Sequence, residues 1–272
     1  NRVSAFQQRQ MTTVDDANVH AVAVKGTFDD CQAILKALFN DQPFRDGVAL
    51  SGVNSINWAR ILGQIVYYFT AAVALGAPDR RVSFTVPTGN FGDIFAGYVA
   101  KQMGLPIERL VIATNVNDIL ARTLATGRYD VRGVTATTSP SMDIQVSSNF
   151  ERLLFDAYQR DAAAIRALMG SLTQSKSFNL SSAALGEMRK RFSAERADEQ
   201  EVAATMRVIW REAGYCIDPH TAVALAVAEK EARDPKVPMI VLSTAHPAKF
   251  PDAVAAACGV TPKLPDWLAD LG

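Results

Sequence analysis

Apolar positions along this chain switch repeatedly between a strand-like and a helix-like period, and the alternation predicts a fold class. Residues 18–24 alternate and are β-branched, which predicts a strand. Thr27, with Asp30 three residues on, reads as an N-cap pair, and Ile34, Leu35, Leu38 and Phe39 then make one helical face. Asn40-Asp41-Gln42-Pro43 ends that helix. A short strand at 48–50 and a polar turn lead into a long helix from Ile56, with Leu62, Ile65, Val66, Phe69 and Val73 at helical spacing. Strand 82–86, helix 94–103, strand 109–114 and helix 119–124 follow in turn. Residues 126–149 are loop-rich around Pro140 and a serine/threonine cluster, and 149–210 read as helical throughout. A small-residue helix at 221–229 precedes an apolar, non-alternating run at 238–244, which predicts a buried parallel strand. Residues 267–272 read as a helical stub. Strands that alternate with helices predict an α/β fold with a doubly wound, mostly parallel sheet.

On such sheets, ligands sit beyond the carboxyl ends of the strands. Residues 88–93, Thr-Gly-Asn-Phe-Gly-Asp, lie at one such end and open a helix. Glycine lets backbone approach an anion, and the first N–H groups of a helix lack internal partners. Gly89, Asn90, Phe91 and Gly92 can therefore cradle a phosphate, with Asp93 on the first helical turn as cap or support. The spacing is neither G-x-G-x-x-G nor a P-loop, and glycine turns before helices also occur in α/β proteins that bind no anion there. Ser55, Asn57 and Arg60 make a second candidate anion site at the start of the preceding helix. There Ser55 can equally be a cap and Arg60 a surface residue. Asn115, Asn117 and Asp118 read as caps, and His220 as a capping or structural histidine.

Composition narrows the chemistry. With 272 residues, 49% of them hydrophobic, the chain can bury a sizeable core. Its 28 basic and 28 acidic residues balance, and no basic run is present, so nucleic acid is not an expected partner. No apolar run approaches the ~20 residues of a membrane span. Cys31, Cys216 and Cys258 are odd in number and far apart, which fits reduced thiols in a cytoplasm better than a disulfide framework. No nucleophile–base motif is present, and His20, His220 and His246 are too scattered to suggest a metal site. A cofactor must carry any difficult chemistry.

Residues 86–93, Val-Pro-Thr-Gly-Asn-Phe-Gly-Asp, resemble the cofactor-phosphate loop of the threonine synthase family, whose members are pyridoxal phosphate (PLP) enzymes of the β-family fold (fold type II). Further resemblances fall in the family's order: Arg2-Val3-Ser4, Gln10-Met11-Thr12-Thr13, the strings at 54–60 and 113–118, and Thr244-Ala245-His246-Pro247-Ala248-Lys249-Phe250. They span most of the chain and are weakest over about 156–201. The resemblance implies a lyase of threonine biosynthesis, cytoplasmic, that converts O-phospho-L-homoserine and water to L-threonine and phosphate. It implies that Gly89, Asn90, Phe91, Gly92 and Asp93 hold the PLP phosphate, and that the Thr244 hydroxyl partners the pyridine nitrogen. A neutral partner leaves the ring less protonated, which suits elimination and replacement within the substrate. Without the resemblance Thr244 would read as a helix cap, since Pro247 follows. Ser55, Asn57 and Arg60 would lie in the substrate-phosphate pocket.

The resemblance also divides the chain. Residues 1–46 are expected to be a βα remnant of a smaller domain, 47–148 the first part of the large PLP domain, 149–214 a helical insertion and 215–272 the rest of the large domain. The Schiff-base lysine is expected upstream of Asn1, in a missing N-terminal portion, so these residues alone are expected to be inactive. Lys249 lacks the family's Phe-Lys-Asp context and is rejected for that role. Another β-family enzyme, such as a threonine or serine dehydratase, remains an alternative, as does a non-catalytic phosphate-binding homologue.

Overall fold

In the computed structural model, residues 5–25, 28–53, 56–232 and 234–271 are described. The chain forms two units, Asn1–Val53 with Lys263–Gly272, and Asn54–Pro262. The first carries α1 (Ala5–Thr12), α2 (Phe28–Asn40), α3 (Gln42–Gly47) and a 3₁₀ turn at Asp266–Leu271. Two predicted strands in it are corrected. Residues 19–24 are irregular, with Val19, Val22 and Val24 all exposed, because an alternating stretch needs a neighbouring strand to complete its ladder. Residues 48–50 instead close α3: the Val48 N–H donates to Phe44 O, and Ala49 takes a left-handed φ of 50°. Thr27, the expected cap of α2, lies outside the described residues.

The second unit begins with α4 (Trp58–Ala74) and then alternates: β1 (Val82–Pro87), α5 (Gly92–Gln102), β2 (Ile107–Thr114), α6 (Ile119–Thr126). Next come β3 (Arg128–Asp130), α7 (Phe150–Ala157), α8 (Ala162–Ser175), β4 (Ser177–Asn179), α9 (Ser182–Arg189) and β5 (Phe192–Arg196). The chain continues through α10 (Glu199–Ala213), α11 (Pro219–Lys230), β6 (Met239–Val241) and α12 (Pro251–Cys258). β5, β2, β1 and β6 lie side by side in that order, all parallel. Leu110 and Ile112 of β2 enter one core with Phe84, Val86 and residues of α4 to α7. Val111 and Ala113 enter the opposite core with α10, α11 and α12. Helices thus cover both faces, as the doubly wound reading requires. Alanines at 222, 224, 226 and 228 are buried, which suits the close packing of α11 on the sheet.

Three further expectations are corrected. Residues 149–210 are not helical throughout, because β4 and β5 interrupt them and β5 is an edge strand of the main sheet. Lys176 ends α8 at a left-handed φ of 57° and the chain reverses there. Within 126–149, β3 pairs antiparallel with β4, and Tyr129 stacks on Phe178 with ring centroids 4.8 Å apart. The strand expected over 238–244 shrinks to three residues, half-buried rather than buried, because among the described residues β6 pairs with β1 alone.

Candidate functional site

The carboxyl ends of β1, β2 and β6 lie on one edge of the sheet, and the turns that leave them build the site. Thr88 is engaged in structure: its N–H donates to Ala113 O (2.8 Å) and its hydroxyl to Val86 O (2.7 Å). Gly89 lies beneath residues 139–143, and a Cβ there would stand 2.5 Å from Ser141 O. Phe91 is the N-cap of α5 at φ 64°, a conformation costly for a bulky residue. Its buried ring packs on Phe150 and Phe192, at centroid separations of 5.3 and 6.0 Å, and that packing holds the strained backbone. The carbonyls of the turn are taken: the Ser147 hydroxyl donates to Gly89 O (2.8 Å), and the Asn149 N–H to Asn90 O (3.0 Å). Among the described residues, the N–H groups from Gly89 to Asp93 donate to no protein acceptor. A turn with its carbonyls bound, its N–H groups available and no room for a Cβ suits an anion at a helix N-terminus.

Asp93 does not cap the helix. Its Oδ1 accepts from the Tyr67 hydroxyl (2.6 Å) and the Tyr68 hydroxyl (3.0 Å). Burial raises the Asp93 pKa, against the opposing pull of the two phenol hydrogen bonds. Burial, and then the Asp93 charge, raise both tyrosines as well. A raised carboxyl favours the folded state at acid pH and loses that contribution as pH climbs through the folded value. Asp93→Asn, which keeps an acceptor for both phenols, should match the natural protein's melting temperature below 3.8, the ordinary aspartate value, and exceed it by a margin that grows with pH until the raised folded value is passed and then stays level. Melting curves across pH check this; a gap that widens towards acid pH would refute it.

The segment from Thr135 to Asp143 is fixed by buried polar groups. Asn115 Nδ2 donates to Asp143 Oδ1 (2.8 Å), Thr137 Oγ1 (2.9 Å) and Ser139 Oγ (3.0 Å). Asn117 Nδ2 donates to the same Asp143 oxygen (3.0 Å) and to Thr135 O (2.8 Å). The expectation that these asparagines cap α6 is corrected: its N-cap is Asp118, with no side-chain cap bond, and the asparagines instead hold this segment over the glycine turn.

A cavity of about 280 Å³ brings together Gly89, Asn90, Phe91, Gly92, Asp93, Arg60 and Thr244. A second, of about 630 Å³, shares Asp93, Gln64 and Thr244 with it. Thr244 is exposed, beyond the end of β6. It caps nothing, because His246 Nδ1 accepts from the Ala248 N–H (3.2 Å) and caps the following 3₁₀ turn. Asn57 does not line the cavity: its Oδ1 accepts from the Ala59 N–H (2.9 Å) as the N-cap of α4. Ser55 lies outside the described residues. The cavity also admits Gln64, Ser141, His220 and Lys249, none of which the sequence reading chose as a site residue. Asp218-Pro219-His220 looks like a plain helix start, and only tertiary structure turns its imidazole inward.

The family model for threonine synthase, C-terminal, matches residues 221–272. Threonine synthase of Pseudomonas aeruginosa is 51% identical over 272 residues, which is all of this chain and 58% of that protein. The crystal structure of PLP-bound threonine synthase from Brucella melitensis superposes with a TM-score of 0.93 at 63% identity, over 100% of this chain and 58% of that one. The yeast threonine synthase structure gives 0.86 at 42% identity, over 98% of this chain and 57% of that one. The chain thus spans rather more than half the length of the relatives it matches. No helix among the described residues is long and apolar enough to cross a membrane.

Proposed function

The chain belongs to the threonine synthase family, and from that premise we propose that the protein carrying it is a cytoplasmic PLP enzyme that converts O-phospho-L-homoserine and water to L-threonine and phosphate. The observation that carries the reading is the turn from Gly89 to Asp93, whose N–H groups have no protein acceptor among the described residues and whose cavity also holds Thr244. The backbone N–H groups of Gly89, Asn90, Phe91 and Gly92 receive the cofactor phosphate, aided by the dipole of α5. Asp93 supports the cradle through Tyr67 and Tyr68 rather than touching the anion. The Thr244 hydroxyl takes the pyridine nitrogen. Arg60, at the cavity wall, takes the substrate phosphate and holds the leaving group's charge. Bound PLP supplies the electron sink for carbanions beside the amino-acid nitrogen.

The lysine that anchors the cofactor is proposed to belong to the N-terminal part of the whole protein, not to be Lys249. Supplied with O-phospho-L-homoserine and PLP, the whole protein is expected to release threonine and phosphate in equal amounts. Residues 1–272 alone are expected to release neither. Product chromatography with a phosphate assay decides. Threonine made by residues 1–272 would return Lys249 to the site, and none made by the whole protein would reject the proposed activity.

A further inference from the structure

A chain of buried side chains joins the two walls of the cavity. Asp218 is fully buried and His220 is 3% exposed. Asp218 accepts from the His220 N–H (2.9 Å), the expected cap of α11. A cap requires no more than that. Yet His220 Nδ1 also lies 2.8 Å from Asp218 Oδ1, and its Nε2 accepts from the Ser141 N–H (3.3 Å). An Nε2 that accepts an amide hydrogen carries no proton, so the ring proton is on Nδ1 and faces the carboxylate. On the other side the Thr221 hydroxyl donates to Asp218 Oδ2, and Thr221 Oγ1 shares a hydrogen bond with Ser243 Oγ at 3.1 Å. The one hydroxyl of Thr221 thus faces both the Asp218 carboxylate and Ser243 Oγ, as donor to either. Ser141 covers Gly89, and Ser243 precedes Thr244. Phe250 packs on the His220 ring, with centroids 4.9 Å apart, and limits its rotation.

Resting on the reading above, we propose that His220, Asp218 and Thr221 form a positioning strut that sets the separation of the Gly89 turn from Thr244, and with it the fit of a ligand that must reach both. Inorganic phosphate, on the turn or at Arg60, has no group that must also reach Thr244. PLP engages the turn with its phosphate and Thr244 with its ring nitrogen. The strut therefore matters to the second ligand and not to the first.

The test uses the whole protein stripped of cofactor. Dissociation constants for PLP and for inorganic phosphate are measured on the natural protein, His220→Ala and Ser243→Ala. For His220→Ala, PLP should weaken about tenfold and phosphate by less than about twofold, the difference being the worth of one well-placed hydrogen bond. Ser243→Ala, a surface change, should shift the same ratio in the same direction by about threefold. It decides the matter if the histidine variant does not fold. Equal weakening of both ligands, or no change in either, would overturn the strut while leaving the cofactor reading intact. Failure of the natural protein to bind PLP at all would overturn that reading, and the strut with it.

Discussion

Gly89→Ala should weaken PLP binding by about 100-fold or more, a loss of about 3 kcal/mol, while most of the fold stays in place. The new Cβ would stand 2.5 Å from the Ser141 carbonyl oxygen and 3.4 Å from Met142 Cα, both backbone atoms. A flexible side chain could swing away, but this backbone cannot. Asn115 and Asn117 hold Asp143, and Asp143 Oδ2 accepts from the Thr137 N–H (2.8 Å). Displacing the segment would break several part-buried hydrogen bonds at about 1 kcal/mol each, so the turn is the part that moves. A moved turn no longer presents the N–H groups from Gly89 to Asp93 together. Cofactor titration and a melting curve on one preparation separate the effects. Wild-type affinity in a folded variant would remove the turn from the site.

Thr244→Val should reduce turnover by roughly tenfold to a hundredfold in the whole protein. Valine keeps the branched shape and removes the hydroxyl. If that hydroxyl bonds the pyridine nitrogen, its loss costs on the order of 1–3 kcal/mol, because a ring nitrogen is left without a partner. Folding should be hardly affected, since Thr244 is exposed and His246, not Thr244, caps the turn that follows. The alternative role of helix cap is thereby removed, and an unchanged melting temperature is part of the expectation. Turnover per PLP-bound enzyme equal to wild type would exclude Thr244 from contact with the cofactor.

Local pattern revealed the central elements because their causes are local. The apolar run of β1, the glycines after it and the helix that follows all lie within residues 82–102. The alternation of strand and helix fixed a parallel sheet, and the sheet fixed where a site must be. The errors share a different cause. Residues 19–24 have the period of a strand, but period says nothing about whether a partner exists. β5 was hidden among helices because residues 192–196 are short and carry two charges, Glu195 and Arg196; its place beside β2 is a long-range fact. Asn57 caps α4, a role that its local position just before the helix already suits. His220 shows the reverse failure. Its sequence context is a helix start, and its function as a link between Ser141 and Asp218 depends on residues 79 and 2 positions away. The place of Asp93 in the first turn of α5 is local, but its tyrosine partners come from α4, 26 and 25 residues earlier.

The central claim is that one cavity, with the Gly89 turn at one wall and Thr244 at another, seats PLP. A crystal structure of the whole protein with PLP tests it most directly. The account predicts the cofactor phosphate within hydrogen-bonding distance of the N–H groups from Gly89 to Gly92, and the pyridine nitrogen within hydrogen-bonding distance of Thr244 Oγ1. A phosphate bound elsewhere, with the Gly89 turn empty and the ring nitrogen facing another group, would contradict it.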